Sequence, residues 1–449
     1  MAATIEELRT EIADLKSQLD RNSRNSSQPP SLDRPELKLP RKKRSGRRRG
    51  GQPGHPGHRR ELVSVEQVKE VVDHYPEECE ECGTCFEGGI RVEVGEPVRH
   101  QVTEAPKVRA EVTEYRFHTQ LCDDCGHATL APWPEWVPRG NFGPRLEATV
   151  GLMRGAYHLS KRMVVSALSD LLGVELSLGS VSRCESALSE ALKEPVAEAH
   201  RYVQEQGSVH ADETGWKEKA KRAWLWVAAT ALVTVFLVQP KRGKTAAARL
   251  LGGFKGVLNT DRWSAYKSWP VRLRQICWAH LIRDFTFIEE RHGKVGKIGT
   301  ALLEAKDEMF ALWHRVRDGT LSRQGFQRRL RPIRQRIEEL LEEGKVCGDK
   351  KASGMCRDIL SLKSALWTFA RVPGVDPTNN AAERALRQAV LWRKGSFGTQ
   401  SAEGSRFTER ILTTVTTLRQ QGRDILDFLT EAAAAAMFAN RSPRLLPDA

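Results

Sequence analysis

The stretch that begins at residue 206 constrains the fold most, because β-prone runs and one short helix follow each other there in a clear order. GSVHADET, AWLWVAAT and LVTVFLVQ each predict a strand, TAAARLLG predicts a short helix, and GVLNTD predicts a further strand. The first of these strands ends in Asp212, and the last ends in Asp261. Strands that alternate with helices in this way favour an α/β domain built around one sheet.

A third acidic residue, Glu383, lies in PTNNAAERALR, which opens a run with helical spacing. Two aspartates on strands and one glutamate on a helix can converge on a pair of hard divalent cations, the arrangement needed to cut and join phosphodiesters. The order strand, strand, strand, helix, strand predicts a ribonuclease H-like α/β domain, in which Asp212 and Asp261 lie on adjacent central strands and face one cleft. Glu213 then points to the opposite face of the sheet, so we assign it no metal.

Each of the three acids also has an ordinary structural explanation. Asp212 can cap the turn that follows it, and Asp261 can cap a helix through Tyr266. The segment from Asn380 to Glu383 has the spacing of a capping box, with Asn380 as N-cap and Glu383 reaching back to its amide. A capping glutamate and a metal-binding glutamate predict the same sequence here, so both interpretations of Glu383 stay open.

The 121 residues between Asp261 and Glu383 are too many for one strand and one connecting helix. Charged amphipathic patterns across about 295–368 predict a helical insertion that returns the chain to the cleft. CWAH, which precedes this insertion, contains Cys277 and His280. A metal site is one interpretation, but a buried cysteine and a cleft-edge histidine at a strand–helix junction are favoured, because no second ligand pair is near in sequence.

The composition favours a polyanionic partner and a reducing compartment. Lys and Arg number 71 against 57 Asp and Glu, a net charge of +14. Four of the nine cysteines form two CxxC pairs, a pattern typical of metal sites rather than disulfides, which predicts a cytoplasmic protein. MAATIEELRT lacks the apolar core of a signal peptide, and the apolar stretch 223–238 predicts a buried hairpin rather than a membrane span.

The first 60 residues predict a helix and then a basic arm. Ile5, Leu8, Ile12, Leu15 and Leu19 follow the a/d spacing of a leucine-zipper-like helix over 1–22, and an amphipathic helix docked on its own domain is the alternative. Residues 23–60 predict a disordered linker. Its basic run predicts an arm that binds DNA phosphates without reading sequence, through Arg41, Lys42, Lys43, Arg44, Arg47, Arg48 and Arg49.

Residues 61–140 predict a zinc-binding domain. Two CxxC turns supply two thiolates each, which completes a tetrahedral site from Cys79, Cys82, Cys122 and Cys125. Cys82 with Cys85 is an alternative first turn, and non-metal thiols remain an alternative for the whole set. Gly83 follows Cys82 as Gly126 follows Cys125, which favours the first assignment. The segments 91–96, 98–104 and 109–119 have strand-like patterns.

Residues 141–205 predict a helix-turn-helix DNA-binding domain. The spacing predicts helices over 161–172 and 178–192, joined by a tight turn at Gly173. Arg183 lies near the start of the second helix, where side chains that read bases are found. Helical hairpins of this kind also occur in proteins that never touch DNA.

The chain resembles the DDE transposases of bacterial insertion sequence 66 over nearly all of its length. The matching stretches are NSSQPPS, the CxxC pairs, HADETGW, KRGKTAA leading to TDRWSAY, CWAHLIRDF, TNNAAERALR, and WRKGSFGTQSAEGSRFTERILTTVTTLRQQGRDILDFL. The family's acidic triad maps onto Asp212, Asp261 and Glu383. The resemblance implies a leucine-zipper-like helix, a zinc-binding segment, a helix-turn-helix and a ribonuclease H-like catalytic domain, here 206–440, with a tail over 441–449. Arg262 and Trp263 stand where many members are expected to have Gly-Tyr.

The resemblance further implies two-metal phosphoryl transfer. Asp212 would bridge two Mg²⁺ (or Mn²⁺) ions, with Asp261 on one and Glu383 on the other. The freed 3′ hydroxyl at the element's end would then attack target DNA in the same site. Side chains that contact the DNA backbone are expected on and just after the Glu383 helix, with surface salt bridges as the alternative: Arg384, Arg387, Arg393 and Lys394.

The expected partners are double-stranded DNA, a second copy of the chain in a homodimer or larger synaptic assembly, and accessory proteins of the same element, with no membrane. These expected partners predict a bacterial protein that is associated with the nucleoid. Two rival functions share parts of this pattern. A DNA-binding regulator with an inactive catalytic fold explains the basic arm and the cysteines but not the triad, and a nuclease that cuts without joining shares the triad.

Overall fold

The computed structural model describes residues 61–86 and 94–446. These residues fall into two compact units, one with 61–86 and 94–108 and the other with 109–446. The predicted helix over 1–22 and the basic arm that contains Arg41 to Arg49 lie outside the described residues. The larger unit is a mixed α/β structure, which confirms the predicted class.

The smaller unit contains little regular structure. It has a 3₁₀ turn at Val65–Gln67 and a single antiparallel bridge between Glu78 and Cys85. The Gln101 side chain ties it together, because its Oε1 accepts from the Val63 N–H at 2.9 Å and its Nε2 donates to the Val63 carbonyl at 2.9 Å.

The strand-like patterns over 98–104 and 109–119 do not form strands, apart from the last residue of the second. That residue opens a short antiparallel hairpin of β1 (Thr119–Leu121) and β2 (Ala128–Leu130). Val98, Val102 and Val112 are all exposed, so neither segment has an apolar layer to pack on. An alternating pattern makes a stable strand only with a pairing partner and a core beneath it.

A five-stranded mixed sheet forms the centre of the larger unit. Its strands are β3 (Ser208–Glu218), β4 (Lys221–Ala229), β5 (Thr234–Gln239), β6 (Val257–Thr260) and β7 (Arg274–Ile276). Their spatial order is β5-β4-β3-β6-β7. The first three are antiparallel neighbours, and β6 and β7 extend the sheet in parallel with β3. The predicted order of three strands, a helix and a strand is confirmed.

The apolar stretch 223–238 forms the antiparallel hairpin β4–β5, as predicted. Its residues are buried from Leu225 to Ala229, with Trp226 fully enclosed. A run that is apolar at successive positions is typical of a strand covered on both faces. No helix among the described residues is long and apolar enough to cross a membrane.

Helices pack against the sheet and against one another. In chain order, the helices are α1 (Pro144–Gly155), α2 (Lys161–Leu172), α3 (Leu178–Ala191), α4 (Lys193–Glu205), α5 (Lys244–Leu251), α6 (Trp278–Glu289), α7 (Gly293–Arg317), α8 (Arg323–Lys345), α9 (Lys350–Ser361), α10 (Thr368–Arg371), α11 (Asn380–Ser396), α12 (Ala402–Gln421) and α13 (Ile425–Met437).

The predicted insertion is present as the three long helices α7, α8 and α9. Together with α6 and the ends of β6 and β7 they build a second hydrophobic core, in which Trp278, Phe326 and Trp367 are fully buried. A core of this size allows the 121 residues between Asp261 and Glu383 to fold as a compact helical region rather than a long loop.

The predicted helical pair is also present. α2 begins at Lys161 with Ser160 as N-cap and ends at Gly173, whose φ of +67° suits a left-handed C-cap. α3 does not stand apart from the sheet domain. A Cβ on Gly151 of α1 would come within 2.0 Å of Leu188 of α3, and both helices share the main core with α12 and α13.

Candidate active site

Asp212 and Asp261 lie side by side at the centre of the sheet. β3 and β6 run parallel, with His210 opposite Asn259, so extending the register by two residues sets Asp261 beside Asp212. Residues in register on parallel neighbours point to the same face. The predicted placement of the two aspartates on adjacent strands therefore agrees with the sheet, with Asp261 just past the end of β6.

One oxygen of each aspartate is already hydrogen-bonded. Oδ1 of Asp212 accepts from the N–H of Glu213 at 2.8 Å, and Oδ1 of Asp261 accepts from the N–H of Trp263 at 2.8 Å. The second bond lies just ahead of the 3₁₀ turn Ser264–Tyr266, whose N-cap is Trp263, and no side chain caps that turn. The other oxygen of each accepts no hydrogen bond from the described residues, which leaves it free for a ligand.

Asn379, the residue before α11, ties that helix to the sheet. Its side-chain amide donates to the Ala211 carbonyl at 2.9 Å, and its Oδ1 lies 3.2 Å from Nδ1 of His210. Its backbone N–H donates to Sγ of Cys277 at 3.1 Å. Asn379 is fully buried, so these bonds fix where α11 begins relative to Asp212.

A second asparagine holds the segment that leads into α11. The side chain of Asn259, on β6, donates to the carbonyls of Asp376 and Thr378 at 2.8 and 3.1 Å. Sequence reasoning missed both Asn259 and Asn379. The signal was an asparagine inside an otherwise apolar strand and a doubled asparagine ahead of a helix, but their partners lie more than 100 residues away in sequence.

Glu383 does not act as a capping residue. The N-cap of α11 is Asn379 rather than Asn380, and it makes no side-chain capping bond. Oε1 of Glu383 is buried and has no hydrogen-bond partner, and it lies 3.7 Å from Nδ1 of His280. The capping-box alternative is therefore wrong for this helix, because the carboxylate turns toward the cleft instead of back to the backbone.

The three carboxylates share one electrostatic environment. Burial is the main cause that raises the pKa of Asp212 well above its usual range, and the charge on the adjacent Glu213 adds to the rise. The charges on Asp261 and Glu383 raise the pKa of Asp212 further. All these groups are therefore close enough to repel one another, and a cation between them would be favoured.

Glu213 is held by partners of its own. Nη2 of Arg242 lies 2.6 Å from Oε1, and the Tyr266 hydroxyl donates to Oε2 at 2.8 Å. Arg242 in turn stacks over Trp263 with its guanidinium carbon 3.8 Å from the ring centre. Burial raises the pKa of Glu213 even though Arg242 and Tyr266 oppose the rise. Both oxygens of Glu213 are therefore engaged by protein partners.

Cys277 and His280 occupy the junction of β7 and α6, as the sequence predicts. Cys277 is buried at the N-cap of α6, and burial raises the pKa of its thiol to about 11. Burial, followed by the positive charges of Arg283 and Arg262, lowers the pKa of His280 to about 4. His280 is therefore neutral at neutral pH and forms no ion pair with Glu383. Sγ of Cys277, a ring nitrogen of His280 and a carboxylate oxygen of Glu383 all lie within 4.8 Å of one another.

The cleft beside Asp261 has a volume of about 240 Å³. Arg262 on its wall pairs with Asp284 of α6 at 2.7 Å and with Asp358 of α9. The arginine that departs from the family pattern therefore links the sheet to the insertion. Beneath it, fully buried Arg274 of β7 donates to the Asp261 carbonyl at 3.1 Å and fixes the backbone there.

The two CxxC turns have the same backbone hydrogen bonds. The N–H of Cys79 donates to the Thr84 carbonyl, and the N–H of Gly83 donates to the Cys79 carbonyl, both at 2.9 Å. In the second turn the N–H of Cys122 donates to His127 at 2.9 Å, and that of Gly126 to Cys122 at 2.8 Å. A side-chain hydrogen bond from Thr84 is the main cause that lowers the pKa of Cys82 to about 7, and backbone hydrogen bonds lower that of Cys122.

The basic residues predicted to contact DNA differ in their surroundings. Arg384, Arg387 and Lys394 of α11 are exposed, and none is ion-paired within the described part of the chain. Arg393 is half-buried and donates to Thr214 Oγ1 at 3.1 Å and to the Gly215 carbonyl, so it ties α11 to β3.

Arg183 of α3 is exposed. Its guanidinium donates to the Ser180 hydroxyl at 3.1 Å, within its own helix. A bond of this kind within one helix leaves the other guanidinium nitrogens available for a ligand.

Comparison with known proteins gives a family match over the larger unit. Residues 139–406 match the family described as "Transposase IS66 family", and residues 1–61 match a family of unknown function. The uncharacterized protein y4qI of Sinorhizobium fredii is 30% identical over 258 residues, which cover 51% of this chain and 48% of y4qI. The uncharacterized protein y4hP of the same organism is 25% identical over 392 residues, which cover 78% of this chain and 70% of y4hP. The chain thus spans about half the length of y4qI.

Proposed function

Since this chain belongs to the IS66 family of transposases, we propose that it binds the ends of an insertion sequence, cleaves them by metal-dependent phosphodiester hydrolysis and joins the 3′ ends to target DNA. One observation carries the proposal. Asp212, Asp261 and Glu383 come from β3, the end of β6 and the first turn of α11, and the charges of the last two act on Asp212. Sequence separations this large make a shared carboxylate cluster hard to explain as local structure.

The sheet supports a ribonuclease H-like catalytic domain. Numbered from β3, the spatial order of the strands is 3-2-1-4-5, with the second strand antiparallel and the fourth parallel to the first. Asp212 on the first strand and Asp261 after the fourth then flank the cleft, and Glu383 enters from α11.

The donor set fits hard divalent cations, two Mg²⁺ or Mn²⁺ ions per active site. Asp212 and Asp261 each keep an oxygen without a protein partner, and Oε1 of Glu383 is buried and unpaired. Oxygen ligands of this kind are those that Mg²⁺ prefers. When bound, the cations would activate the attacking water and stabilise charge on the leaving 3′ oxygen.

The protein's own residues orient this site. Asn379 and Asn259 hold the start of α11 against the sheet, which aims Glu383 at the two aspartates. Arg242 and Tyr266 engage both carboxylate oxygens of Glu213, so Asp212 is the residue of β3 that we assign to the metal ions. Prearranged carboxylates reduce the reorganisation needed when charge develops on the phosphate, which is how such sites lower the barrier.

Structural zinc is the proposed role of the cysteines. Taken turn by turn, the matching hydrogen bonds favour Cys79 with Cys82, rather than Cys82 with Cys85, as one zinc-binding pair, and Cys122 with Cys125 as another. The lowered pKa values of Cys82 and Cys122 favour the thiolate form that binds zinc.

Exposed basic residues would hold the DNA backbone. We assign this to Arg384, Arg387 and Lys394 on α11, together with the basic arm and Arg183 of the helical pair. Arg393, which is engaged with β3, contributes by anchoring α11. Because two element ends must be brought together, the working assembly is a homodimer or larger, and accessory proteins of the same element join it.

The test is cleavage of DNA that carries the element's ends, in Mg²⁺ or Mn²⁺. Asp212→Asn, Asp261→Asn and Glu383→Gln should each lower the cleavage rate by at least about a thousandfold while DNA binding persists, because each removes a charge that the cations require. Glu431→Gln, which changes an exposed carboxylate on α13, serves as the matched control and should cut like the wild type.

The outcomes separate the rival functions. Binding without cutting, even with accessory proteins of the element added, would leave a DNA-binding regulator. Nicks without joined products would leave a nuclease. Cutting that survives Glu383→Gln would remove Glu383 from the triad.

A further inference from the structure

Three ligand atoms of different chemistry meet beside the carboxylate cluster. They are Sγ of Cys277 at the N-cap of α6, a ring nitrogen of His280 in the first turn of the same helix, and a carboxylate oxygen of Glu383 in α11, all within 4.8 Å of one another. Only Glu383 has a part in the proposed two-metal reaction. Cys277 and His280 have none.

Two of these groups have no hydrogen-bond partner among residues 61–86 and 94–446. Nδ1 of His280 and Oε1 of Glu383 are both buried without a hydrogen bond, and they face each other at 3.7 Å. Buried polar atoms are nearly always paired, so a facing pair of unpaired atoms calls for a ligand between them. Cys277 Sγ accepts a hydrogen bond from the Asn379 N–H at 3.1 Å, which offsets part of the burial that raises the pKa of this thiol.

The donor set selects the metal. Sulfur and imidazole suit Zn²⁺ and other borderline cations, whereas Mg²⁺ takes oxygen ligands and binds sulfur poorly. Ligand atoms around tetrahedral zinc lie roughly 3.3–3.8 Å apart, given bonds of about 2.0–2.3 Å. The His280–Glu383 separation of 3.7 Å lies within that range, and the sulfur, which is within 4.8 Å of both partners, needs to approach by no more than about 1.5 Å.

We propose that Cys277, His280 and Glu383 form a Zn²⁺ site that competes with the catalytic cations. Zinc binds through the Cys277 sulfur, the His280 imidazole and the Glu383 carboxylate, with a water in the fourth position, and the thiol proton passes to solvent as the Zn–S bond forms. Zinc at this site withdraws Glu383 from the carboxylate cluster and inhibits DNA cleavage. This inhibition rests on the proposed function, but the binding itself does not.

The binding test titrates Co²⁺, as a spectroscopic probe, into full-length protein that carries one equivalent of zinc, enough for the predicted CxxC site alone. Tetrahedral cobalt with a cysteine ligand shows sulfur-to-metal charge transfer and visible ligand-field bands. We expect wild type to take up one cobalt with these bands, Cys277→Ser to lose the charge-transfer band, and His280→Asn to bind at least about tenfold more weakly. Cys356→Ser, which changes another fully buried cysteine in α9, is the matched control and should bind like wild type.

Two further variants keep the binding test decisive. Cys82→Ser weakens the predicted structural zinc site, so a cobalt signal of unchanged strength and affinity in this variant does not arise from metal exchange at the CxxC turns. Glu383→Gln removes one proposed ligand without altering the buried thiol. If a melting experiment shows that Cys277→Ser does not fold, the loss of cobalt binding in Glu383→Gln tests the proposal instead. Cobalt bands of equal strength in wild type, His280→Asn and Glu383→Gln would overturn the proposal.

The inhibition test compares cleavage in Mg²⁺ with and without added Zn²⁺, each variant against its own zinc-free rate. Zinc should slow wild type and Cys356→Ser, and its effect should be lost in Cys277→Ser. Equal inhibition of wild type and Cys277→Ser would refute competition at this site. If no protein cuts DNA at all, the proposed function fails, while the cobalt titration still judges the metal site.

Discussion

At the residue scale, Asp212 is the group whose ionised form the fold disfavours through burial and through the charges of Glu213, Asp261 and Glu383. A raised pKa in the folded state means that the associated stability is fully present below the ordinary aspartate pKa and is lost as the pH rises toward the folded value. The carboxylate cluster therefore costs the protein stability at neutral pH, which is common where several charges are held close together.

Asp212→Asn should accordingly stabilise the chelator-treated protein at neutral pH. The expected gain in the free energy of unfolding is roughly 0.5–2 kcal/mol at pH 7, shrinking toward zero as the pH falls into the ordinary aspartate range. Urea denaturation of both proteins between pH 4 and 8, at about ten points, gives the difference. The control is Asp170→Asn, which changes an exposed aspartate of α2. A variant less stable than wild type at pH 7 would contradict the prediction.

At the element scale, α12 completes the hydrogen bonding of the edge strand β5. Backbone N–H groups of Thr234, Phe236 and Val238 donate to side chains of Thr417, Thr413 and Glu409 at 3.1, 3.0 and 2.6 Å. Two residues along a strand span about 6.7 Å and four along a helix about 6.0 Å, so the two repeats stay in step. A helix that supplies acceptors in this way covers an edge that would otherwise invite pairing with another chain.

Thr413→Val should measure how much one such hydrogen bond contributes to the free energy of unfolding. The substitution keeps the shape of the side chain but leaves the buried N–H of Phe236 without an acceptor, at a cost of about 1–3 kcal/mol in the free energy of unfolding. Thr416→Val provides the comparison, since Thr416 lies on the same helix and makes no hydrogen bond within the described structure. Urea denaturation curves that coincide for the two variants would mean that the bond contributes nothing measurable.

At the scale of the whole molecule, a net charge of +14 means that the proposed affinity for DNA should depend on salt concentration. The exposed basic side chains of α11 contribute to this if they contact phosphates beside the cleft. Because such contacts release counterions without reading bases, their loss weakens binding to every sequence by a similar factor.

The double substitution Arg384→Ala with Arg387→Ala should lower the slope of log affinity against log salt by about two, one for each lost phosphate contact. Lys193→Ala is the control, because Lys193 already pairs with Glu190 at 3.2 Å. Affinity measured by fluorescence anisotropy from low to moderate salt gives both slopes. An unchanged slope in the double variant would place the DNA elsewhere on the surface.

The sequence by itself determined the local elements and the chemistry they carry. Period-two and period-3.6 patterns are properties of neighbouring residues, which is why α2, the hairpin β4–β5 and the helices of the insertion form where predicted. The proximity of Asp212 and Asp261 could also be predicted, because parallel strands in register bring their ends together.

Only the tertiary structure decided which distant residues meet. The capping interpretation of Glu383 failed because buried Asn379 bonds to β3 and to Cys277 instead of capping α11 with its side chain. The strand predictions over 98–104 and 109–118 were wrong because no other element of the described structure packs on their valines, which stay exposed to solvent. The juxtaposition of Cys277, His280 and Glu383 likewise joins groups about 100 residues apart. Local patterns report what a segment prefers, whereas burial and long-range hydrogen bonds depend on which surfaces the whole chain brings together.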